Sequence, residues 1–285
     1  MATNLENAPA GTTATLAPPR RTSQRRVLRL AAVVLPPLAV FAAFVGVWYL
    51  VSYVLLSPDR RFLVPAPQRV LRVGFLTSAN LTQELQGLAV TTRVAAIGLL
   101  IAIGIGVTVA VAMSQARWIE RSLYPYAVIL QTIPILALVP LFGFWFGFGL
   151  FSRIVVCTMI SLFPIIANTL FGLKSVDPGL RDLFRMQHTN RLVRLVKLEF
   201  PSAVPAVFAG FRIAAGLSVI GAIVGDFFFR QGTTGIGILM SLYLSRLEAE
   251  QLFASIILSS GLGIVAFWVF GVLGYVVGRR YDRSA

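Results

Sequence analysis

The sequence predicts an all-α polytopic membrane protein with six transmembrane helices. Of its 285 residues, 57% are hydrophobic and only 13% are charged, and the mean hydropathy is +0.81. Soluble domains are about 45–50% apolar and about 25% charged, so the composition excludes that class. Apolar runs of about 20 residues, the length that crosses a hydrocarbon core, recur along the chain.

Six apolar runs reach the length of a transmembrane helix. The predicted spans are residues 30–56, 87–113, 122–147, 152–173, 202–226 and 254–278. The first run follows basic residues, as in a signal peptide. It is longer than the roughly 7–15 apolar residues of a signal peptide, however, and has no small-residue cleavage site at its end. Residues 29–280 are therefore predicted to form one transmembrane domain.

The two ends of the chain differ in composition from the spans. Residues 1–28 are rich in Ala, Thr, Pro and Arg and show no apolar period, which predicts a disordered tail. Residues 281–285 are predicted to be a short C-terminal tail. The single cysteine, Cys157, lies in an apolar run, so an intramolecular disulfide is excluded and a small buried side chain is expected.

The positive charge predicts the orientation in the membrane. The net charge of +14 would suit a nucleic-acid partner, but the Arg residues flank apolar runs, which is typical of loop anchoring. Most Lys and Arg residues lie before the first span, in 114–121, in 174–201 and after the last span, so both termini are predicted to be cytoplasmic. The outer loops are assigned Arg60, Arg61, Arg69, Arg72, Arg153, Arg230 and Arg246.

Several local signals modify the simple spans. Pro134 and Pro140 interrupt the third span, and Gly104 and Gly106 in the second are expected to let helices approach closely. A short surface helix is expected before the second span. Residues 235–253 are expected to form a re-entrant or surface helix.

Residues 174–201 are the longest polar interval between spans. Asp177 is a predicted N-cap, followed by Pro178 at the first helical position. One face of the predicted helix carries Leu180, Leu183, Phe184 and Gln187 and the other carries Arg181, Arg185 and His188. A turn at Thr189-Asn190 and a second short helix follow, and Pro201 is expected to close the loop. The pair could lie on anionic lipid or dock an apolar ridge into a partner.

This stretch resembles the cytoplasmic signature loop of binding-protein-dependent ABC importer permeases, the EAA loop. The family pattern E-A-A-x-x-x-G places its acidic residue at Asp182, its alanines at Leu183 and Phe184, and its glycine at His188. The closing pair is Phe200-Pro201. The spacing, the acidic residue and the proline match, whereas both alanines and the glycine are replaced.

The flanking segments also resemble one branch of this family. The segments 131–149, 163–173 and 209–218 are similar to the nitrate/sulfonate/taurine permeases, and the similarity extends over residues 65–278. The segment 225–239 is similar to permeases for pyrimidine-type vitamin precursors. The resemblance implies a type I ABC importer permease in the bacterial plasma (inner) membrane that carries a small solute of these kinds.

The resemblance also implies partners and a coupling site. It implies a second permease copy, two cytoplasmic ATPase subunits and an external substrate-binding protein, with ATP and Mg on the ATPases and no cofactor in this chain. The segment 179–190 would be the coupling helix. The residues implied to couple to the ATPase are Leu180, Asp182, Leu183, Phe184, Arg185, Gln187, His188 and Pro201.

The residues themselves indicate a chain without enzymatic chemistry. No G-x-x-x-x-G-K-[ST] sequence is present, so this chain has no P-loop to bind nucleotide phosphates. His188 is the only histidine, so no His-rich metal site or Ser/His/Asp set is expected. Polar residues within spans are candidates for the translocation pathway, although hydroxyls also bond to their own helix. These candidates are Gln131, Thr132, Ser161, Arg212, Ser218 and Asp226.

Two residues in that set have clear alternatives. Arg212 could snorkel to the cytoplasmic surface, and Asp226 could cap a loop. Two other functions also remain open from the residues: a stand-alone secondary transporter or channel, and a membrane anchor that transports nothing. A secondary transporter predicts buried acidic groups for ion coupling, and the predicted spans are nearly free of charge.

Overall fold

The computed structural model describes residues 22–282, with side chains described for residues 32–279. The described part of the chain is helical and contains no β-strand. Its α-helices are α1 (Thr22–Leu50), α2 (Pro67–Val70), α3 (Ser78–Gln115), α4 (Arg117–Thr132), α5 (Ile135–Phe146), α6 (Leu150–Lys174), α7 (Pro178–Met186), α8 (Arg191–Arg194), α9 (Phe200–Phe228), α10 (Ile236–Arg246) and α11 (Ala249–Asp282).

Five helical segments are long and apolar enough to cross a membrane. They are Ala32–Leu55, Ser78–Gln115, Leu150–Lys174, Arg191–Phe228 and Ala249–Arg279. A sixth crossing is made only if α4 and α5 count together, and these two helices are bent by 98° at their junction. The all-helical membrane fold is confirmed, and the third predicted span is a broken one.

The break between α4 and α5 lies at Pro134. Ile133 is extended, with φ −65° and ψ 127°, as expected for a residue that precedes proline. Pro134 supplies no N–H to continue the helix and becomes the N-cap of α5. Pro140, in contrast, lies within α5 without ending it. The two predicted interruptions are therefore reduced to one.

Three π-helical stretches extend the regular helices. Val51–Leu55 follows α1, Leu71–Leu76 follows α2, and Leu195–Glu199 joins α8 to α9. Because of the third stretch, the chain is continuously helical from Arg191 to Phe228. The expectation that Pro201 closes a loop is wrong, since Pro201 lies inside this continuous helix, in the first turn of α9 after the π-helical stretch.

Helix boundaries differ from the predicted spans mainly where polar residues extend a helix. α3 begins at Ser78 rather than at residue 87, and α11 begins at Ala249 rather than at residue 254. α1 begins at Thr22, within the predicted tail 1–28, and α11 continues to Asp282. The rest of the two predicted tails, residues 1–21 and 283–285, lies outside the described residues.

Small residues let α3, α6 and α9 form the core. An added Cβ at Gly98 would lie 2.5 Å from Cys157 Sγ, and one at Gly106 would lie 2.7 Å from Ile165. Cys157 is buried and donates from Sγ to the Ser218 carbonyl at 3.3 Å. The prediction of close packing is confirmed for Gly106 and wrong for Gly104, which faces open space. Small residues are the usual means of close helix contact in lipid.

The two ends of this core carry different features. α6 and α9 run antiparallel, with α7 and α8 between them in the sequence. The end of α6 and the start of α9 therefore lie at the end of the bundle that carries α7. The start of α6 and the end of α9 meet at the opposite end of the bundle, beside the start of α10.

Candidate functional site

The predicted surface helix of the central stretch is present as α7. The Asp177 carboxylate accepts hydrogen bonds from the backbone N–H groups of Gly179, at 2.8 Å, and Leu180, at 3.2 Å. Pro178 occupies the first turn, where it lacks only a donor that would have no partner in the helix. The predicted N-cap is confirmed, and it fixes where the helix begins.

The helix stands clear of the rest of the bundle. None of the residues of α7 is buried. Its apolar side chains Leu180 and Leu183 are 48% and 47% exposed, and Met186 is 73% exposed. Phe184 is half-buried. An exposed apolar ridge on a capped helix is a surface that a partner's groove or a lipid surface can cover.

His188 ends this helix in a left-handed conformation, with φ +52°. Its N–H donates to the Arg185 carbonyl at 3.0 Å, and the Thr189 N–H donates to the Phe184 carbonyl at 3.3 Å. These are the two bonds of a Schellman motif, whose left-handed position is usually glycine. Residue 188 therefore has a left-handed backbone conformation, which glycine adopts most easily. This conformation explains why the EAA pattern has glycine at this position. Histidine is among the non-glycine residues that adopt it more readily.

Ion pairs anchor the stretch on both sides of α7. Lys174, at the end of α6, pairs with Glu120 near the start of α4. After α7, Arg194 pairs with Glu199 at 2.9 Å, and the Glu199 side chain is only 6% exposed. Asn190 precedes α8 as predicted, but its side chain makes no capping bond. α7 is thus a short exposed helix held between two anchored segments.

The structure brings together most of the residues implied to contact an ATPase. Asp182 and Arg185 lie one turn apart in an exposed ion pair of 3.7 Å, Gln187 is the C-cap, and His188 follows it. Pro201 is separate from this group, since it lies on α9. Contact with an ATPase remains a prediction for all of them.

A buried ion pair occupies the opposite end of the bundle. Arg153 Nη1 lies 3.1 Å from Asp226 Oδ1, and the two side chains are 1% and 0% exposed. Arg153 also donates to the backbone carbonyls of Phe229 at 2.8 Å, Thr233 at 2.9 Å and Gln231 at 3.1 Å. One arginine therefore joins the first turn of α6 to the end of α9 and to the loop that follows it.

The Asp226 carboxylate is bonded on its other side as well. Thr91 of α3 donates its hydroxyl to Oδ2 at 2.6 Å, and the Gly237 N–H lies 3.3 Å from the same oxygen. The Ile236 N–H donates to the Thr91 hydroxyl at 2.8 Å. Gly235 passes so close to the carboxylate that a Cβ there would overlap it. This network, from Thr91 to Gly237, joins α3, α6, α9 and α10.

The prediction that Arg153 lies in an outer loop is wrong. It is fully buried, because the turn before α6 ends at Gly149 and places residue 153 inside the bundle. A signal was present in the sequence. Arg153 and Asp226 are opposite charges at adjoining ends of two apolar segments, and charges in such segments usually pair with one another.

Polar groups also meet where α3, α10 and α11 join. Glu84 is fully buried, and both its carboxylate oxygens lack hydrogen-bond partners among the described residues, as do the hydroxyls of Tyr243 and Ser255. Burial, followed by the nearby carboxylates of Glu84 and Glu248, raises the pKa of the Tyr243 phenol. Within the described core, this junction holds the largest group of buried polar atoms without hydrogen-bond partners. No motif or spacing in the sequence predicted it.

The predicted pathway residues do not form one cluster. Ser161 and Ser218 are buried at the α6–α9 contact and donate to the carbonyls of Ala214 and Ala215. The remaining three predicted residues outside the ion pair are exposed, with Gln131 and Thr132 at the end of α4 and Arg212 on α9. A pathway role remains a prediction for each of them and for Asp226.

Family and relatives agree with this architecture. Residues 102–285 match the family described as binding-protein-dependent transport system inner membrane component. A formylaminopyrimidine transport permease protein of Halalkalibacterium halodurans is 31% identical over 82% of this chain and 90% of its own length. A putative aliphatic sulfonates transport permease protein of Escherichia coli is 32% identical over 78% and 82%.

Two further similarities are informative. A nitrate import permease protein of Leptolyngbya laminosa is 29% identical over 70% of this chain and 67% of its own length. The crystal structure of an amino acid ABC transporter with histidines superposes with a TM-score of 0.55 at 18% identity, over 73% of this chain and 99% of that one. At this identity the superposition shows the fold alone. The chain belongs to the binding-protein-dependent transport system inner membrane component family and is a membrane permease subunit of an ABC importer.

Proposed function

We propose that two copies of this chain form the translocation pathway of an importer driven by two cytoplasmic ATPase subunits. An external binding protein delivers a small solute, of the nitrate, sulfonate or taurine kind or of the pyrimidine-precursor kind. The relatives named above as permeases for formylaminopyrimidine, aliphatic sulfonates and nitrate support these solute classes.

The observation that carries the proposal is the exposed apolar ridge of α7. On this helix Leu180 and Leu183 are about half exposed, so both are available to pack into a partner's apolar groove. Its capped start and anchored flanks hold the ridge in a defined position. A partner that moves against the ridge would therefore move α6 and α9, because α7 is tied to both by short segments.

The proposed orientation places α7 in the cytoplasm with both termini. The surface around α7 carries Arg181, Arg185, Arg191, Arg194 and Lys197. Positive residues are concentrated on cytoplasmic loops of membrane proteins, which supports this side. ATP and Mg bind to the ATPase partner, and the transport step in this chain is a change of helix packing.

Substitution of the apolar ridge tests the coupling role. The permease is co-expressed with its proposed ATPase and binding-protein partners, and ATP turnover is measured in proteoliposomes. Replacing both Leu180 and Leu183 with Asp should abolish stimulation of ATP turnover by the loaded binding protein, or release the ATPase on purification, because a charge then faces an apolar groove.

A matched control is available on the adjacent helix. Leu192 on α8 and Val196 just after it are both 66% exposed, so Leu192→Asp combined with Val196→Asp adds the same two charges to the same surface outside the ridge. This control should retain stimulation. Unchanged stimulation in the Leu180/Leu183 double variant would contradict the coupling assignment, and equal loss in the Leu192/Val196 double variant would show a general effect of charge on the loop.

A further inference from the structure

A polar cavity lies against the first half of α4. It has a volume of about 380 Å³ and is lined by Arg117, Glu120, Arg121, Tyr124 and Pro125. These residues recur at intervals of three and four, so they share one face of the helix. The volume falls within the range of ligand sites, which is about 300–1,000 Å³. The start of α4 therefore offers a concave surface large enough for a small polar group.

The cavity carries positive charge that no described residue offsets. Glu120 pairs with Lys174, so its carboxylate already has a counter-charge. The ion pairs among the described residues include neither Arg117 nor Arg121, and both arginines are exposed. Two guanidinium groups one helical turn apart can bind the same phosphate group, because the planar guanidinium matches the geometry of phosphate oxygens.

The cavity lies where two membrane-spanning helices end. α3 ends at Gln115, two residues before Arg117, and α6 ends at Lys174, which pairs with Glu120 of α4. Both α3 and α6 are long and apolar enough to cross a membrane, and α4 begins the broken span. The start of α4 is therefore expected at the depth of the lipid headgroups.

Aromatic and apolar side chains continue this face of α4. Trp118 follows Arg117 and is 72% exposed, and Tyr124 lines the cavity itself. Trp and Tyr are concentrated at the headgroup level of membrane proteins. Val128 lies one turn beyond Tyr124 on the same face and is also exposed. Along α4 the face thus changes from cationic to aromatic to apolar, which is the order from headgroup to acyl chain in a phospholipid.

We propose that this cavity binds the headgroup of an anionic phospholipid, with the phosphate on Arg117 and Arg121 and an acyl chain along Val128. Basic pockets at the membrane surface of helical proteins bind such headgroups. A zwitterionic headgroup is a weaker ligand, because its own ammonium group offsets the phosphate. This binding requires only the membrane-embedded chain, so it goes beyond the proposed import function and is independent of it.

The test measures which lipid lies beside Trp118. A variant that keeps only this tryptophan, Trp48→Phe with Trp145→Phe and Trp268→Phe, is reconstituted in mixed vesicles of phosphatidylcholine and phosphatidylglycerol. Either lipid is supplied in brominated form, which quenches tryptophan fluorescence on contact. Phosphatidylglycerol should bind beside Trp118 at least about tenfold more tightly than phosphatidylcholine, because each Arg near an anionic headgroup contributes about fivefold.

Replacing Arg117→Gln together with Arg121→Gln should reduce the preference to about twofold or less. Arg117→Lys with Arg121→Lys keeps the charge and should retain most of the preference, which separates loss of charge from loss of folding. If the variant with one tryptophan does not fold, Trp118→Phe in the otherwise native chain should lose the quenching that is specific for phosphatidylglycerol.

A matched control removes two positive charges elsewhere at the same end of the bundle. Arg191 and Lys197 are both exposed, so Arg191→Gln with Lys197→Gln changes the net charge equally and leaves the cavity intact. This control should keep the full preference for phosphatidylglycerol at Trp118.

Four results would overturn the proposal. They are equal quenching by the two brominated lipids, an unchanged preference in the Arg117/Arg121 glutamine variant, equal loss in the Arg191/Lys197 control, and loss of the preference in excess inorganic phosphate at constant ionic strength. The third would show a general response to net charge, and the fourth would assign the arginines to a free phosphate ion. Neither ATPase nor binding protein is present, so a failure of the α7 coupling test would leave this outcome unaffected.

Discussion

At the scale of single residues, Arg153 makes the largest set of interactions among the charged side chains described. It is buried beside Asp226 and bonds to three carbonyls of the loop after α9. Leaving one member of such a pair without its partner is costly, whereas apolar replacement of both can be tolerated. The pair thus sets the geometry of one end of the bundle.

We expect Asp226→Ala to destabilise the permease by about 3–5 kcal/mol, because Arg153 is then buried without a counter-charge. The double variant Arg153→Met with Asp226→Leu should recover only part of this loss, because it removes the unpaired charge but leaves the carbonyls of Phe229, Gln231 and Thr233 without their donor. Unfolding in detergent, followed by circular dichroism, measures both. Equal stability of the wild type and the Asp226→Ala variant would show that water or another group can replace the carboxylate.

At His188 the unusual feature is the left-handed backbone conformation and not a contact of the side chain. A residue in a sparsely populated conformation costs about 1–3 kcal/mol. His188→Gly should therefore strengthen amide protection at the end of α7 and retain stimulated ATP turnover. His188→Val should weaken both, because a β-branched residue is strained at φ +52°. Hydrogen exchange of the α7 peptide and ATP turnover are the two measurements.

A different result would assign a role to the imidazole. If His188→Gly improves protection yet loses stimulation, the ring itself contacts the partner. The substitution would then change amide protection and ATP turnover in opposite directions. A purely structural role of His188 predicts that both change in the same direction.

At the scale of elements, α7 shows how a short helix is kept folded without burial. It has no buried residue, so local interactions at its ends have to stabilise it. The Asp177 cap at the start and the Schellman bonds around His188 at the end provide hydrogen bonds for groups that a helix leaves unpaired.

Asp177→Ala should destabilise α7 by about 1 kcal/mol through loss of the cap. Faster amide exchange in residues 178–186 measures the effect. Asp182→Ala serves as the control for stability, because its ion pair with Arg185 is exposed on both sides and such pairs contribute about 0–1 kcal/mol. A larger effect at Asp182 than at Asp177 would contradict the assigned cap.

At the scale of the whole molecule, the packing of α6 between α3 and α9 relates the two ends of the bundle. The α7 ridge lies at one end and the Arg153–Asp226 network at the other. Cys157 lies at the centre of this packing, fully buried against the backbone of α3 and α9. The native thiol is therefore out of reach of a polar reagent.

This burial allows a direct test of the proposed orientation. Lys197→Cys lies beside α7 and Gln231→Cys lies in the loop at the opposite end, and both positions are exposed. In intact cells a membrane-impermeant maleimide should label Gln231→Cys alone, and both variants after permeabilisation. The wild type should stay unlabelled. Labelling of Lys197→Cys in intact cells would reverse the topology.

Most of the helical architecture could be predicted from the sequence. Long apolar runs require helices in a membrane, because a helix satisfies its backbone hydrogen bonds internally. The cap at Asp177 and the amphipathic face with Leu180 and Leu183 were also predictable, because both depend only on residues close together in the sequence. The exact ends of α3 and α11 were not, since polar residues at their start extend the helices beyond the apolar runs.

The sequence by itself determined the membrane class, the helices and the polar interval 174–201 with its short amphipathic helix, because these depend on hydropathy and on neighbours along the chain. Only the tertiary structure decided which distant residues meet. Arg153 and Asp226 are far apart in the sequence, as are Arg212 and Phe267, and their contacts exist because α6, α9 and α11 pack side by side. The left-handed conformation of His188 likewise became known only from its backbone angle, because the pattern of side chains does not specify that angle.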